Sequence, residues 1–256
     1  MPHLDRGGVR IRYDVAGEGP AVLLTHGFAA SSRMFAANLG ALSGDHTVIT
    51  WDLRGHGDSD YPADPAAYSV PLTVADMRAL LDTAGAERAV IAGHSVGGFL
   101  SLEFHLAHRD RVAGLILIDT GPGYRRDEAR ARWNRMVDDY ARSFAERGLD
   151  ALGDSEELTA RAHRDASGLV LAAHGILAQH DARVIDALGS IDVPTLIVVG
   201  QRDTAFLDGS RHMAEKIPGA TLAVIEGAGH APNVSHPAVF NDRVRAFLRR
   251  VHGIRA

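Results

Sequence analysis

Three side chains whose chemistry depends on one another occur in order along the 256-residue chain: Ser95 in Gly93-His94-Ser95-Val96-Gly97-Gly98, Asp203 in Gly200-Gln201-Arg202-Asp203, and His230 in Gly227-Ala228-Gly229-His230. A serine hydroxyl is a weak nucleophile at neutral pH. It needs a base to take its proton, and an imidazole base needs a carboxylate to fix its tautomer and to steady the charge it acquires. The pattern G-x-S-x-G is informative where a strand turns sharply into a helix, because the flanking glycines make room for a turn so tight that the serine oxygen projects clear of the sheet. That context is present: residues 89–92 form a short apolar β-rich run, and the stretch from 95 to 108 has helical periodicity. A fourth part of such a site would be an electrophilic stabiliser. Thr25-His26-Gly27-Phe28 ends another apolar run, which makes the backbone amides of Phe28 and Val96 candidate oxyanion donors.

Composition removes the competing chemistries. The chain contains no Cys, so it has no disulfide framework, thiol nucleophile, thiolate-bound zinc or iron-sulfur cluster. Lys216 is its one lysine, which leaves a Schiff-base mechanism a single candidate in an ordinary amphipathic stretch. A net charge of −5 offers no basic footprint for nucleic acid or an anionic membrane surface. No stretch approaches the roughly 18 apolar residues of a membrane span, and the N-terminus lacks an apolar signal core. The expectation is a cytoplasmic protein with no cofactor and no bound metal, acting on a small molecule, with a homodimer as the default assembly.

The elements that must position these groups alternate. Residues 9–15 alternate apolar and polar, as an edge strand in an antiparallel pairing would. Five wholly apolar runs follow at 21–25, 47–51, 89–92, 115–118 and 195–199, with a shorter strand at 221–225; helical patterns cover 70–81, 95–108 and 237–251. Such alternation predicts an α/β protein with a mostly parallel sheet covered on both faces. Ser95, Asp203 and His230 each fall at a strand's C-terminal end, the edge at which reacting groups converge in such sheets. About 75 residues separate Asp119 from Pro194, far more than one crossover helix needs. We assign 122–186 to a helical cap and 1–121 with 187–256 to the core. In the cap, Trp133, Met136, Tyr140 and Phe144 lie at helical spacing, and Trp133, Met136 and Tyr140 are candidate substrate contacts. Arg125, Arg126, Arg130, Arg132 and Arg135 read as a solvated face.

The ordered set His26-Gly27-Phe28, Asp52-Leu53-Arg54-Gly55-His56-Gly57-Asp58-Ser59, the Ser95 elbow, Gly200-Gln201-Arg202-Asp203 and Gly229-His230 resembles the α/β-hydrolase superfamily over about residues 10–250. The resemblance implies an eight-stranded sheet, a helical cap after strand six and a pocket between cap and core. It implies Ser95 as nucleophile, His230 as base, Asp203 as acid, and Phe28 and Val96 as oxyanion amides. It also implies the reaction class of a serine esterase or lactonase, cleaving a carboxylic ester or lactone through an acyl-enzyme. A serine at the elbow argues against the relatives that use aspartate there, the epoxide hydrolases and haloalkane dehalogenases. Three alternatives stay open: carbon-carbon bond hydrolases of ring-cleavage products, cofactor-free perhydrolases, and ligand receptors with an idle triad. Ala29-Ala30-Ser31-Ser32 departs from the first group's usual Gly-Pro, and Val96 departs from the second group's usual methionine.

Other residues compete for these roles. Asp119 ends the strand after the elbow helix and is the rival acid. His26, His56, His94 and Arg54 are expected to brace loops. His105 and His108, at i and i+3, are expected on a helix surface, since no third metal ligand stands near them.

Overall fold

The computed structural model describes residues 2–153 and 163–253; part of the expected cap, 154–162, lies outside them. Eight strands form one sheet: β1 (His3–Asp5), β2 (Arg10–Ala16), β3 (Ala21–Thr25), β4 (Thr47–Trp51), β5 (Ala89–His94), β6 (Val112–Ile118), β7 (Thr195–Gly200) and β8 (Thr221–Ile225). Their spatial order is β1-β2-β4-β3-β5-β6-β7-β8, antiparallel at the first two pairings and parallel from β4 to β8. The strand expected at the edge is therefore covered on its outer side, where Leu4 pairs with Ile11. Three mostly polar residues carry too little periodicity to announce β1.

The helices of the described residues are α1 (Ala36–Leu42), α2 (Val70–Thr83), α3 (Val96–Ala107), α4 (Asp127–Arg147), α5 (Ser167–Ala172), α6 (Arg183–Ala187), α7 (Leu207–Lys216), α8 (Pro232–Ser235) and α9 (Pro237–His252). Local signals set several boundaries. The Ser69 hydroxyl accepts the Leu72 amide at the start of α2, and Gly253, at φ 65°, ends α9 in the left-handed region.

The two-residue period of the strands divides the core. Val22, Leu24, Val90, Ile116 and Val198 face α1 and α9, where Leu42, Phe240, Val244 and Leu248 close over them. Leu23, Ile91, Leu115, Leu117 and Ile197 face the other way, toward Met77, Leu80, Leu81, Leu100, Phe104 and Met213 of α2, α3 and α7. Because β3 lies between β4 and β5, the strand order reverses there. That reversal opens a crevice at the C-terminal ends of β3 and β5. Thr25 pairs with Gly93 across it, so the loop after β3 begins beside the turn that carries Ser95.

Between β6 and β7 lies the helical cap. α4 buries Val137, Ala141 and Phe144 on one stripe at i, i+4 and i+7. A π-helical turn (Ala173–Leu177) follows α5. Cap and core meet backbone to backbone at two glycines. A Cβ on Gly168 would stand 2.4 Å from the Gly55 Cα, and one on Gly175 would stand 2.2 Å from the Tyr68 carbonyl oxygen.

Candidate active site

Ser95 follows β5 with φ 53° and ψ −119°, a region that L-residues with side chains occupy only under constraint. The constraint comes from packing on both sides of the turn. A Cβ on Gly93 would come within 2.1 Å of the Gly97 carbonyl, and one on Gly97 within 2.3 Å of the Thr25 carbonyl oxygen. The turn is pinned further by the Ser95 amide, which donates to Ile118 at 2.9 Å, and by the Thr120 hydroxyl, which donates to the Ser95 carbonyl at 2.6 Å.

Asp203 and His230, on the loops after β7 and β8, meet: His230 Nδ1 lies 2.7 Å from Asp203 Oδ2. Register brings them together, since Gly200 pairs with Ile225 and the Arg202 amide donates to Ala228. Burial alone would push the Asp203 carboxyl up, but the His230 hydrogen bond and charge, with a hydrogen bond from Asp119, outweigh it and hold the group below the usual carboxylate range. Phe206 stacks on the His230 ring at 5.0 Å. In this state His230 and Ser95 share no hydrogen bond; such contacts commonly tighten only when substrate is bound. Asp119, at φ 42°, accepts the Gly200 amide at 2.9 Å and so stands behind Asp203. Asp119, Asp203 and His230 offer ligand atoms within 4.8 Å of one another, a spacing that could hold a metal. The direct His230–Asp203 bond instead directs the proton-bearing nitrogen of the ring at the carboxylate, the arrangement of an acid-base pair.

The amides of Phe28 and Val96 donate to no acceptor among the described residues. Val96 opens α3, where the first amides of a helix have no partner within it. The Phe28 loop is held by histidines. His26 Nδ1 donates to Gly27 and its Nε2 accepts the Leu53 amide. His56 Nδ1 donates to Arg54 and its Nε2 accepts the amide of Ala29, a residue at φ 59°. From the cap, His163 Nε2 donates to the Ala29 carbonyl at 2.8 Å while its Nδ1 accepts the Gly57 amide. Each ring uses one nitrogen as donor and one as acceptor, so all three are neutral. Burial lowers their affinity for a proton, taking His26 to about 4 and His56 well below its ordinary value. His94 is taken by burial to about 3, and its Nε2 donates to the His230 carbonyl at 2.6 Å. Arg54 forms a buried ion pair with Asp76.

A cavity of about 230 Å³ opens at Ser95, walled mainly by Val96, Phe99, Pro122, Trp133, Leu177 and Phe206. Of the three cap residues expected to touch substrate, Trp133 lines it and Met136 and Tyr140 do not. Trp133 is held by its indole N–H on the Leu177 carbonyl. Tyr140, 46% exposed, lies off the buried stripe of α4, and Met136 is only half-buried. His105, expected on a surface, is fully buried. Sequence reasoning missed His163, Phe99, Leu177, Gln179 and Phe206, none of which stands in a motif. Arg125 and Arg130 of the expected solvated face pair with Asp186 and Asp127. Among the described residues no helix is long and apolar enough to cross a membrane.

Comparison with known proteins agrees with this architecture. The putative carbamate hydrolase RutD of Pseudomonas savastanoi pv. phaseolicola is 30% identical, over 90% of this chain and 94% of its own. The putative 2-succinyl-6-hydroxy-2,4-cyclohexadiene-1-carboxylate synthase of Bacillus subtilis is 27% identical over 94% and 96%. Among solved structures, a thermophilic esterase from Thermogutta terrifontis superposes with a TM-score of 0.82 at 27% identity, covering 98% of this chain and 100% of that one. The enol-lactonase from Burkholderia xenovorans LB400 superposes with 0.77 at 26%, covering 96% and 99%. Residues 22–243 match the model of the alpha/beta hydrolase family, and the chain belongs to that family.

Proposed function

We propose that the protein is a cofactor-free serine hydrolase that cleaves a small carboxylic ester or lactone through an acyl-enzyme. The observation that carries this reading is the strained Ser95 elbow beside two unengaged amides, those of Phe28 and Val96, with the His230–Asp203 pair on the adjoining loops. Ser95 Oγ attacks the carbonyl carbon while His230 Nε2 takes its proton. The carbonyl electron pair moves onto oxygen, where the Phe28 and Val96 amides receive it, and Asp203 steadies the imidazolium. Collapse breaks the acyl-oxygen bond and the departing alkoxide takes the proton from His230. Water then attacks the acyl-enzyme, again giving its proton to His230, and Ser95 leaves with that proton as the carboxylic acid is released. With a lactone the two product groups remain on one molecule.

The cavity supports a short or compact acyl group, since it is smaller than the roughly 300–1,000 Å³ typical of drug-sized ligand sites. Solved relatives named as an esterase and an enol-lactonase support carbonyl chemistry. A fluorophosphonate probe is expected to label Ser95, and wild type to hydrolyse p-nitrophenyl acetate. A Ser95→Ala protein that retained the wild-type rate would overturn the reading.

A further inference from the structure

The cavity wall opposite to the elbow's own residues contains one polar atom that the chain leaves without a partner. Gln179 lines the cavity from the segment after the π-helical turn, and its Oε1 is buried with no hydrogen-bond partner among the described residues. The other polar side chains on the wall differ. Thr120 is engaged with the Ser95 carbonyl, and Tyr124 and Asp208 reach solvent. A buried acceptor left unpaired is destabilising, so its retention in this wall asks for a compensating partner.

The backbone of Gln179 is also held from two sides. The Asn134 side chain clamps its backbone at both ends, accepting the Gln179 amide at 2.9 Å and donating to the Gln179 carbonyl at 2.8 Å. Two residues earlier in the same segment, the Leu177 carbonyl accepts the Trp133 indole N–H. Gln179 stands two residues after the π-helical turn at Ala173–Leu177, a distortion that recurs at functional sites. Across from the amide, Gly123 has φ 83°, and a Cβ there would stand 2.9 Å from Oε1, so the glycine keeps the space at the oxygen open.

We infer that Gln179 is a specificity residue, and that the substrate is an ester or lactone whose acyl part carries a hydrogen-bond donor, an amide N–H or a hydroxyl, that reaches Gln179 Oε1. The inference rests on the proposed function for the identity of the reacting group, while the recognition itself needs only binding. An apolar pocket gives little discrimination between chains of equal size, whereas a buried acceptor penalises any ligand that packs against it without donating.

The test uses p-nitrophenyl esters of acetamido-alkanoic acids of graded length, each paired with its N-methyl counterpart, which lacks the donor. Wild type is expected to favour the N–H ester of the best length by about tenfold in kcat/KM. Gln179→Leu is expected to bring that ratio near one, and Gln179→Glu, which keeps an acceptor, to preserve it. Melting temperature and fluorophosphonate labelling of Ser95 report that the variants are folded; should Gln179→Leu not fold, Gln179→Met supplies the same comparison. A wild-type ratio near one at every length, or a ratio that survives loss of the amide, overturns the inference. Calorimetric binding of the same pairs to Ser95→Ala separates the two readings. Preference in binding without wild-type turnover refutes the hydrolase and keeps the role of Gln179, while turnover without preference does the reverse.

Discussion

His230 and the trio of His26, His56 and His163 are the same side chain in two settings of one fold. His230 is partly exposed, stacked on Phe206, and bonded through one nitrogen to a carboxylate that this hydrogen bond and the His230 charge keep ionised against the effect of burial. The trio is packed ring against ring, His56 lying 5.2 Å from His26 and 5.6 Å from His163, with every nitrogen assigned to a backbone group. A carboxylate partner and an open nitrogen make an imidazole a base. Two backbone partners, one accepting and one donating, make it a rigid, neutral strut. Fourteen histidines in one chain therefore say little about chemistry until the partners of each ring are known.

The sharpest way to break this distinction is to remove the two groups proposed as nucleophile and base. Ser95→Ala and His230→Ala are each expected to lower kcat about 10⁶-fold with folding intact, and the double variant to be no worse than either, because the two act as a unit. A residual rate near wild type in His230→Ala would move the base elsewhere. Next in size, Asp203→Asn is expected to cost about 10⁴-fold, through loss of the tautomer that presents Nε2 to Ser95. Asp119→Asn should cost far less, since Asp119 acts only from behind Asp203. The reverse order would make Asp119 the acid.

The struts are tested by smaller effects. His163→Ala is expected to lower kcat about 10- to 100-fold with little change in KM, because the Ala29 carbonyl it holds fixes the loop carrying the Phe28 amide. An unchanged kcat would show that the core histidines suffice. Acid should act on the struts through stability. Folded His26 and His94 bind a proton only near 4 and 3, against 6.5 for an ordinary histidine, so the unfolded chain takes up protons first as pH falls. Their contribution is whole above about 6.5 and is lost downward from there, at up to about 1.4 kcal/mol per pH unit for each ring. Thermal melting between pH 7 and 4 measures this, and the His26→Asn variant should show a shallower decline. The smallest effect belongs to Tyr140→Ala, expected within about twofold of wild type on every ester, while Trp133→Ala alters acyl-length preference.

The parts of the site legible in the sequence are those defined by local turn chemistry. Gly93, Ser95 and Gly97 announce a tight turn, and Asp203 and His230 each follow a strand closely enough for sheet register to bring them together. The loop that presents the Phe28 amide was legible for the same reason, through Gly27 after β3. The cavity wall was not. Leu177, Gln179 and Phe206 reach it from segments more than 25 residues apart, and their convergence is set by packing that no period in the sequence records. His163 stands in a stretch of Arg, Asp and Ala that offers no pattern, so its reach to Ala29 appears only in three dimensions. Tyr140 shows the opposite failure. Helical spacing placed it with Trp133 and Phe144, but the stripe that packs runs through Val137 and Ala141, and a rotation of less than a turn leaves Tyr140 facing water.

The paired glycines where α5 crosses the core loop carry a consequence for engineering. At Gly55 and Gly168 there is no room for a single methyl group on either side, so the contact behaves as a keyed joint that accepts one shape. Exchanging the cap for that of another family member, the obvious route to new substrates, succeeds only when the incoming segment brings glycine to position 168 and the receiving loop keeps it at 55. A graft chosen for its cavity residues alone would stand away from the core by the width of a side chain, and it would take from the Ala29 carbonyl the hold that His163 gives it unless it brought a donor of its own.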